Sequence, residues 1–186
     1  VTANNYINPK KHRTKFIAVR YGNVLGSSGS VIPKFIQQIS SNQTITITDP
    51  NMTRFSITMD EALDFILKAT KLGSGSEIFI PKLKAYSIVD VKSALFELLQ
   101  KTDERVSGIR PGEKLHEFLI NEDEMRYTWE VENLYVILNP LKKLHKIERT
   151  SKEMKKIKNI GIYSSNNVEK LSIEDLKKLI KKSDLL

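Results

Sequence analysis

The chain has 186 residues, of which 40% are hydrophobic and 28% are charged, as in an ordinary globular protein with a core. It contains no cysteine, which excludes disulfide scaffolds, thiolate metal sites and cysteine nucleophiles and agrees with a cytoplasmic location. No apolar run is long enough to span a membrane, and the first residues do not form a charged-then-apolar signal, so we expect neither a membrane span nor export.

The net charge of +8 is concentrated at the C-terminal end of the chain. Residues 141–186 carry 13 basic and 6 acidic side chains, whereas residues 1–140 carry 17 and 16. The tail contains one aromatic residue, Tyr163, so it has no ladder on which nucleic-acid bases could stack. Lysine-rich helix faces of this kind are usually solvated surfaces, and we expect no nucleic-acid partner.

Apolar periodicity predicts alternating strands and helices in the first half of the chain. The glycine- and serine-rich segment 22–29 is a predicted loop, and Pro33 lies near the start of the helix that follows it. Thr58 and Glu61 form a predicted capping box, and Gly73 is a predicted left-handed helix terminator. The predicted strands are 16–21, 45–48 and 77–81, and the predicted helices are 31–39 and 59–72.

The second half of the chain continues the alternation and therefore predicts an α/β or α+β class. Ser87 and Asp90 form a second predicted capping box, and Ser172 caps a last helix that carries Leu176, Leu179 and Ile180. Short strands are predicted at 106–109 and 134–138, and residues 141–160 are a predicted poorly ordered linker or arm.

The sequence contains few groups that could perform chemistry. The glycines of segment 22–29 are separated by three and two residues, so the loop is not a G-x-G-x-x-G dinucleotide motif. His12, His116 and His145 are widely separated and have no metal-ligand spacing. His116 could be combined with Glu113 and Glu117, but an exposed polar helix face explains these residues better, and we predict no metal site.

Two arginines are candidates for binding an anion. Arg54 lies between a predicted strand and a capped helix, and Arg110 lies in an Arg-Pro-Gly turn. An arginine held on a rigid turn suits bidentate contact with phosphate oxygens, and a nucleotide diphosphate is a natural ligand for two of them with a nearby asparagine. Two structural salt bridges explain the same residues equally well at this point.

Five segments, in order, resemble one family. They are Arg-Tyr-Gly-Asn-Val at 20–24, Gly-Ser-Ser-Gly-Ser-Val-Ile-Pro at 26–33, Met-Thr-Arg-Phe at 52–55, Glu-Ile-Phe-Ile-Pro-Lys at 77–82 and Arg-Pro-Gly-Glu-Lys-Leu-His-Glu at 110–117. Together they resemble the C-terminal half of the inverting UDP-N-acetylglucosamine 4,6-dehydratases. These are extended short-chain dehydrogenase/reductases that act in polysaccharide and flagellin-sugar biosynthesis. Residues 163–167 resemble the end of the capsule and O-antigen branch.

This resemblance implies roles for individual residues. Asn23 matches a residue that contacts the UDP-sugar, and Val31 matches a residue that packs near the uracil. Arg54 and Arg110 match arginines that contact the diphosphate, and Glu113 matches a carboxylate on the ribose. The resemblance therefore favours a nucleotide site over two salt bridges, and it implies no catalytic residue in this chain.

The resemblance also implies that parts of the family fold are absent. The family has an N-terminal Rossmann half with a glycine-rich loop and a Tyr-x-x-x-Lys pair on a helix. We predict that this chain lacks both and that Val1 lies just downstream of the catalytic lysine. The predicted fold is α/β, a partial short-chain dehydrogenase with the last Rossmann strand and a substrate-binding subdomain. Residues 1–140 are the predicted UDP-sugar-binding part, and 141–186 are a basic arm with a C-terminal helix.

For the complete enzyme, the resemblance implies that bound NADP takes hydride from C4 of the sugar, water is lost across C5 and C6, and hydride returns to C6. The product is a 4-keto-6-deoxy sugar nucleotide, inverted at C5. We expect no NADP on this chain alone, and a homo-oligomer for the complete enzyme.

Three alternatives stay open. A UDP-sugar 4-epimerase of the same superfamily would also bind UDP, and an assay for a keto-sugar product would separate it from a dehydratase. A non-catalytic interaction module would bind an acidic partner or surface through the basic tail, with steep salt dependence. The isolated chain could also fold poorly, because the strand predicted at 16–21 would then present an unpaired edge.

Overall fold

The computed structural model describes residues 13–140, 154–157, 161–183 and 185–186. Within these ranges short strands alternate with helices, so the predicted mixed α/β class is confirmed. The helices are α1 (Val31–Ser40), α2 (Met59–Leu72), α3 (Ile88–Leu98), α4 (Glu122–Met125) and α5 (Ile173–Lys182). The strands are β1 (Ala18–Val19), β2 (Asn23–Val24), β3 (Ile45–Ile47), β4 (Thr53–Ile57), β5 (Ile78–Pro81), β6 (Ala85–Ser87), β7 (Glu104–Val106), β8 (Phe118–Ile120), β9 (Thr128–Val131), β10 (Leu134–Ile137), β11 (Lys155–Lys156) and β12 (Tyr163–Ser164).

The chain divides into two compact units, and each unit is assembled from three stretches of sequence. The first unit takes its described residues from Val1–Tyr21, Asp60–Lys82 and Leu119–Tyr163, and the second from Gly22–Met59, Leu83–Phe118 and Ser164–Leu186. This division differs from the predicted boundary after residue 140, because the C-terminal residues belong to the same unit as Gly22–Met59.

The first unit is built around a five-stranded sheet in the order β1-β5-β10-β9-β11. β1 runs parallel to β5, and the other neighbours are antiparallel. Helix α2 buries Phe65 and Ala69 in a cluster that also contains Phe79 of β5 and Val136 of β10. The helix covers the sheet because its apolar residues recur at helical spacing and form one face.

The strand predicted at 16–21 is shorter in the structure, where β1 comprises two residues. Ala18 and Arg20 donate their backbone N–H groups to the carbonyls of Glu77 and Phe79, each at 2.9 Å, whereas Phe16 is 44% exposed. The parallel pairing with β5 therefore covers only Ala18 and Val19, at the centre of the apolar run 16–21, and the two ends of that run are not part of the strand.

Gly73 ends α2, as predicted, but the predicted left-handed conformation is wrong. The positive φ angles of this turn belong to Gly75 and Ser76 instead. A Cβ on Gly73 would lie 2.8 Å from Cγ2 of Ile17 and 3.1 Å from the carbonyl oxygen of Ala69. Close approach, rather than backbone conformation, is therefore the reason that glycine suits this position.

The second unit contains a three-stranded sheet in the order β2-β4-β6 and a separate pair, β3 with β7. β2 is parallel to β4, β4 is antiparallel to β6, and β3 is parallel to β7. Helices α1, α3 and α5 pack around one core. Its largest fully buried side chains are Phe35, Ile32, Ile39, Ile45, Leu95, Val91, Leu176 and Ile180.

Two of the predicted helix starts are confirmed at atomic detail. Ser87 Oγ accepts the backbone N–H of Asp90 at 3.0 Å, which caps α3. Ser172 and Asp175 form a reciprocal capping box at the start of α5. In both cases the cap satisfies a backbone N–H that has no partner within the helix. Helix α2 begins at Met59, directly after the predicted cap Thr58.

Other predictions for the second half need correction. Strand β7 ends at Val106, where the predicted strand 106–109 was expected to begin. Of the predicted linker or arm over 141–160, residues 141–153 and 158–160 lie outside the described residues, but Lys155–Lys156 pairs antiparallel with β9. β9 and α4 were not predicted, because Thr128–Val131 has no simple alternation and α4 has one turn.

No helix in the described ranges combines the length and apolar character that crossing a membrane requires.

We expect Gly22→Ala to reduce the free energy of unfolding by about 1–3 kcal/mol, the usual cost of overpacking. A Cβ at Gly22 would lie 2.3 Å from Cβ of Phe55 and 3.0 Å from its carbonyl carbon, so β4 would have to move. Urea denaturation of the full chain measures the loss. Gly161→Ala is the matched control, because its Cβ would meet no atom within 4 Å; equal effects of the two substitutions would contradict this account of Gly22.

We expect Leu176→Ala in α5 to cost about 2–5 kcal/mol of unfolding free energy, because it leaves a cavity in the core of the second unit. Leu176 is fully buried. Leu67→Ala on α2 removes the same atoms from a side chain that is 60% exposed and should cost less than about 0.5 kcal/mol. If Leu176→Ala were as mild as this control, α5 would not be part of the core.

Candidate functional site

The second unit contains a cavity of about 400 Å³. The five residues to which sequence analysis gives substrate-binding roles all line it: Asn23, Val31, Arg54, Arg110 and Glu113. These residues are spread over ninety positions of the chain, and the fold brings every one of them to the same concave surface. Their role in binding stays a prediction, whereas their shared location is a property of the structure.

Strand pairing places the central residues of the cavity. Asn23 on β2 lies opposite Ser56 of β4, and Arg54 on β4 lies opposite Tyr86 of β6. Val31 is the first residue of α1, which begins directly after the glycine- and serine-rich loop. The cavity therefore lies where three strands and the N-terminus of a helix meet.

Arg54 is held rigidly at the cavity wall. Its Nη1 donates to the backbone carbonyls of Thr53 at 2.8 Å and Leu115 at 3.0 Å, and its Nε lies 3.9 Å from Oε1 of Glu117. The side chain is 13% exposed. Arg54 thus has the ion pair that the salt-bridge alternative predicts, and it also lines the cavity.

Arg110 is different, because it stands exposed on a turn. The turn closes through a hydrogen bond from the N–H of Glu113 to the carbonyl of Arg110 at 3.0 Å. Among the described residues, the guanidinium of Arg110 has no carboxylate within ion-pair distance. The salt-bridge alternative is therefore wrong for Arg110 within the described part of the chain.

The electrostatic balance of the cavity favours an anion. Lys34, Arg54 and Arg110 line it, against one carboxylate, that of Glu113. The N-terminus of α1 also faces this surface, since Ser30 and Val31 are lining residues. A helix N-terminus carries a partial positive charge that attracts anions.

Ser30 has an unusual environment at that helix start. It occupies the N-cap position of α1, but its side chain makes no capping hydrogen bond. Its Oγ is buried and has no hydrogen-bond partner in the described structure. Buried hydroxyl groups normally find partners, so the unpaired hydroxyl of Ser30 is an exception at the wall of the cavity.

Two further polar residues, Tyr86 and Glu117, received no substrate-binding role from the sequence analysis, which considered Glu117 only as a possible metal ligand. Tyr86 lines the cavity and is 3% exposed, and burial raises the pKa of its phenol to about 12. The side chain of Asn23 interacts with both residues and lowers the pKa of each. No motif marks Tyr86, because its role arises from the register between β4 and β6.

The metal predictions can be compared with the described residues only. Within them, no group of three or more His, Asp or Glu side chains could hold a metal ion. His116 does not lie on the predicted helix face; its Nδ1 is 2.9 Å from Oγ1 of Thr53 in a non-helical segment. His12 and His145 lie outside the described residues.

The residues present do not fit the NADP that the family resemblance implies. The sequence contains no G-x-G-x-x-G, and its glycine-rich segment 22–29 packs Gly22 against Phe55 and contributes to the cavity. The predicted absence of a Tyr-x-x-x-Lys pair is wrong as a statement about spacing, because Tyr6 and Lys10 have it. Both lie outside the described residues. No step is therefore assigned to NADP.

Burial raises the pKa of Glu117 above its ordinary value of 4.5, although Phe55, Arg54 and Asn23 favour the charged form. The folded protein therefore loses stability as the pH rises from 4.5 through the raised pKa, because the unfolded chain ionises more readily. Glu117→Gln removes this pH dependence. We therefore expect the free energy of unfolding of the variant, relative to that of the wild type, to be higher at about pH 8 than at about pH 4. Urea denaturation at both pH values measures it; a flat difference would contradict the assignment.

Comparison with known proteins gives a consistent set of similarities. The family model described as "Polysaccharide biosynthesis protein" matches residues 1–139. The chain is 40% identical over 173 residues to the UDP-N-acetylglucosamine 4,6-dehydratase (inverting) of Campylobacter jejuni subsp. jejuni serotype O:2, covering 90% of this chain and 50% of that protein. It is 36% identical to a UDP-glucose 4-epimerase of Rickettsia bellii, covering 91% and 50%.

One solved structure is similar over the whole chain. It is the X-ray structure of Pen from Bacillus thuringiensis, with 35% identity and a TM-score of 0.85, covering 100% of this chain and 55% of that one. The chain thus spans about half the length of the curated relatives and of the solved structure that it matches.

Proposed function

The chain belongs to the polysaccharide biosynthesis protein family of extended short-chain dehydrogenase/reductases, and on this premise we propose that its cavity binds the nucleotide diphosphate of a UDP-sugar. The observation that carries the proposal is the convergence of Asn23, Val31, Arg54, Arg110 and Glu113 on one cavity. The relatives named above are enzymes that modify UDP-sugars. We propose the same class of substrate here.

The diphosphate would lie among the cationic groups. Arg54 supplies a nearly buried, fixed charge, and Arg110 supplies an exposed guanidinium that pairs with no carboxylate of the described residues and could make a bidentate contact with phosphate oxygens. The N-terminus of α1 adds its partial positive charge at the same wall, and Ser30 Oγ would add a donor once its side chain rotates toward the ligand. Excess positive charge with unused donors is what a doubly charged, oxygen-rich ligand requires.

The nucleoside and the sugar would occupy the rest of the cavity. Val31, Met52 and Ile88 provide apolar surface on which a uracil ring could pack. Glu113 could accept hydrogen bonds from ribose hydroxyls, because an ionised carboxylate is an acceptor. Asn23 and Tyr86 would contact the sugar, and Tyr86 would offer it a neutral O–H group.

We propose that the chain is the substrate-binding portion of a UDP-N-acetylglucosamine 4,6-dehydratase that serves surface polysaccharide synthesis. In this role its residues bind and orient the sugar nucleotide, and hydride chemistry falls to groups outside the cavity. The higher identity to the Campylobacter dehydratase than to the Rickettsia epimerase favours this function over the epimerase. Binding of UDP would be common to a dehydratase and an epimerase.

We expect the full chain to bind UDP and Arg110→Ala to weaken that binding by about tenfold or more, the effect of losing one charge-assisted contact. Isothermal titration calorimetry measures the dissociation constant. Arg126→Ala is the matched control, because Arg126 is an exposed arginine whose ion pair is with Asp123 and which does not line the cavity.

Three results would count against this function. One is no UDP binding by the wild-type chain at millimolar ligand. Another is an equal loss with Arg110→Ala and Arg126→Ala, which would indicate a general charge effect. The third is binding that survives Arg54→Ala but disappears in Lys178→Ala or Lys181→Ala, as expected for an interaction module that uses the basic tail.

A further inference from the structure

We propose that Glu117 is a positioning residue of the cavity, which holds the amide of Asn23 and the guanidinium of Arg54 in the orientations that a ligand meets. The ligand named below rests on the proposed function, but the contacts of Glu117 do not. Glu117 does not line the cavity itself. It acts from behind the cavity wall on two residues that do.

The carboxylate of Glu117 is tied to β4. Its Oε2 accepts the backbone N–H of Phe55 at 2.8 Å, and its Oε1 lies 3.9 Å from Nε of Arg54. One carboxylate thus contacts two successive residues of the strand. The Arg54 side chain, whose Nη1 is already bound to two carbonyls, is held from its opposite edge by the charge of Glu117.

The same carboxylate also affects Asn23. The side chain of Asn23 interacts with Glu117 and lowers the pKa of its carboxyl group, so the amide favours the ionised carboxylate. Because an ionised carboxylate can only accept, the end of the amide that favours it is the donor, Nδ2. Asn23 also lowers the pKa of Tyr86.

Glu117 is itself fixed by the C-terminal segment. Its backbone N–H donates to Ser165 Oγ at 2.9 Å, and its carbonyl accepts the N–H of Ser165 at 2.9 Å. Ser165 Oγ also donates to the carbonyl of Thr53 at 3.0 Å, and Ser165 is fully buried. These bonds fix the backbone of Glu117, and the N–H of Phe55 fixes its carboxylate, so the carboxylate has a defined position beside Arg54.

A purely structural role would not need the charge. A neutral acceptor could satisfy the N–H of Phe55. The side chain of Glu117 is only 23% exposed, so burying its ionised carboxylate costs desolvation energy. The groups that benefit from the negative charge are the guanidinium of Arg54 and the amide of Asn23, and both line the cavity. Glu117→Gln therefore separates the two roles, because it preserves the size and an acceptor but removes the charge.

The first test needs no ligand. The Nε–Hε signal of Arg54, assigned by its loss in Arg54→Lys, reports the order of that side chain through its heteronuclear NOE. We expect a rigid signal in the wild type and a measurably lower heteronuclear NOE in Glu117→Gln, in which the two carbonyl hydrogen bonds of Nη1 remain but the ion pair at Nε is lost. Glu124→Gln is the matched control: Glu124 binds Arg20 in a bidentate pair, so this variant should loosen Arg20 and leave Arg54 rigid. An Arg54 signal that is as rigid in Glu117→Gln as in the wild type would overturn the proposal.

The second test uses UDP-N-acetylglucosamine and calorimetry. We expect Glu117→Gln to weaken binding by about tenfold, although removal of a negative charge alone would strengthen the binding of an anion. In the Arg54→Ala, Asn23→Ala background we expect Glu117→Gln to cause no further loss, because the residues it positions are absent. Tighter binding by Glu117→Gln, or an undiminished loss in that background, would overturn the proposal.

The two proposals fail separately. If the wild type does not bind UDP-N-acetylglucosamine, the proposed function fails, and the signal of Arg54 still decides whether Glu117 positions it. If Glu117→Gln does not fold, Glu117→Asp gives the same comparison, because it keeps the charge but withdraws the carboxylate by one methylene group. In that variant we expect the same mobility of Arg54, and an unchanged rigid signal would again overturn the proposal.

Discussion

Strand β4 is the element on which the cavity depends. It pairs with β2 on one side and β6 on the other, and the backbone N–H of its central residue, Phe55, is bound by the carboxylate of Glu117. Gly22 approaches Phe55 so closely that no side chain fits between them. Because β4 cannot shift without breaking these contacts, Arg54 is displayed at a fixed point of the wall.

The two arginines of the cavity illustrate different ways of presenting the same charge. Arg54 is nearly buried and its guanidinium is already bound by the protein, so it contributes a permanent positive field. Arg110 stands exposed on a short turn between two glycines with positive φ, Gly108 and Gly112. A fixed charge gives a ligand its orientation without loss of side-chain entropy on binding, whereas an exposed one can adapt to it.

Much of the fold was predictable from local patterns. The apolar spacing of 31–39 predicted α1, and Ser87 and Ser172 correctly marked the starts of α3 and α5, because a cap is a contact between residues three positions apart. Patterns failed where distant residues decide the structure. Gly73 is required by its approach to Ile17, and the extent of β1 is set by its register with β5.

The candidate site divides in the same way. The sequence by itself determined the chemical inventory: two candidate arginines, a glycine- and serine-rich segment before a helix, no cysteine, and five ordered segments that identify the family. Only the tertiary structure decided that Asn23, Arg54 and Arg110 share one cavity, that Arg54 is ion paired while Arg110 is not, and that Tyr86 and Glu117 belong to the same network. The physical reason is that motifs record which groups are available within a few residues, whereas hydrogen-bond partners and burial depend on strand registers between residues far apart in the chain.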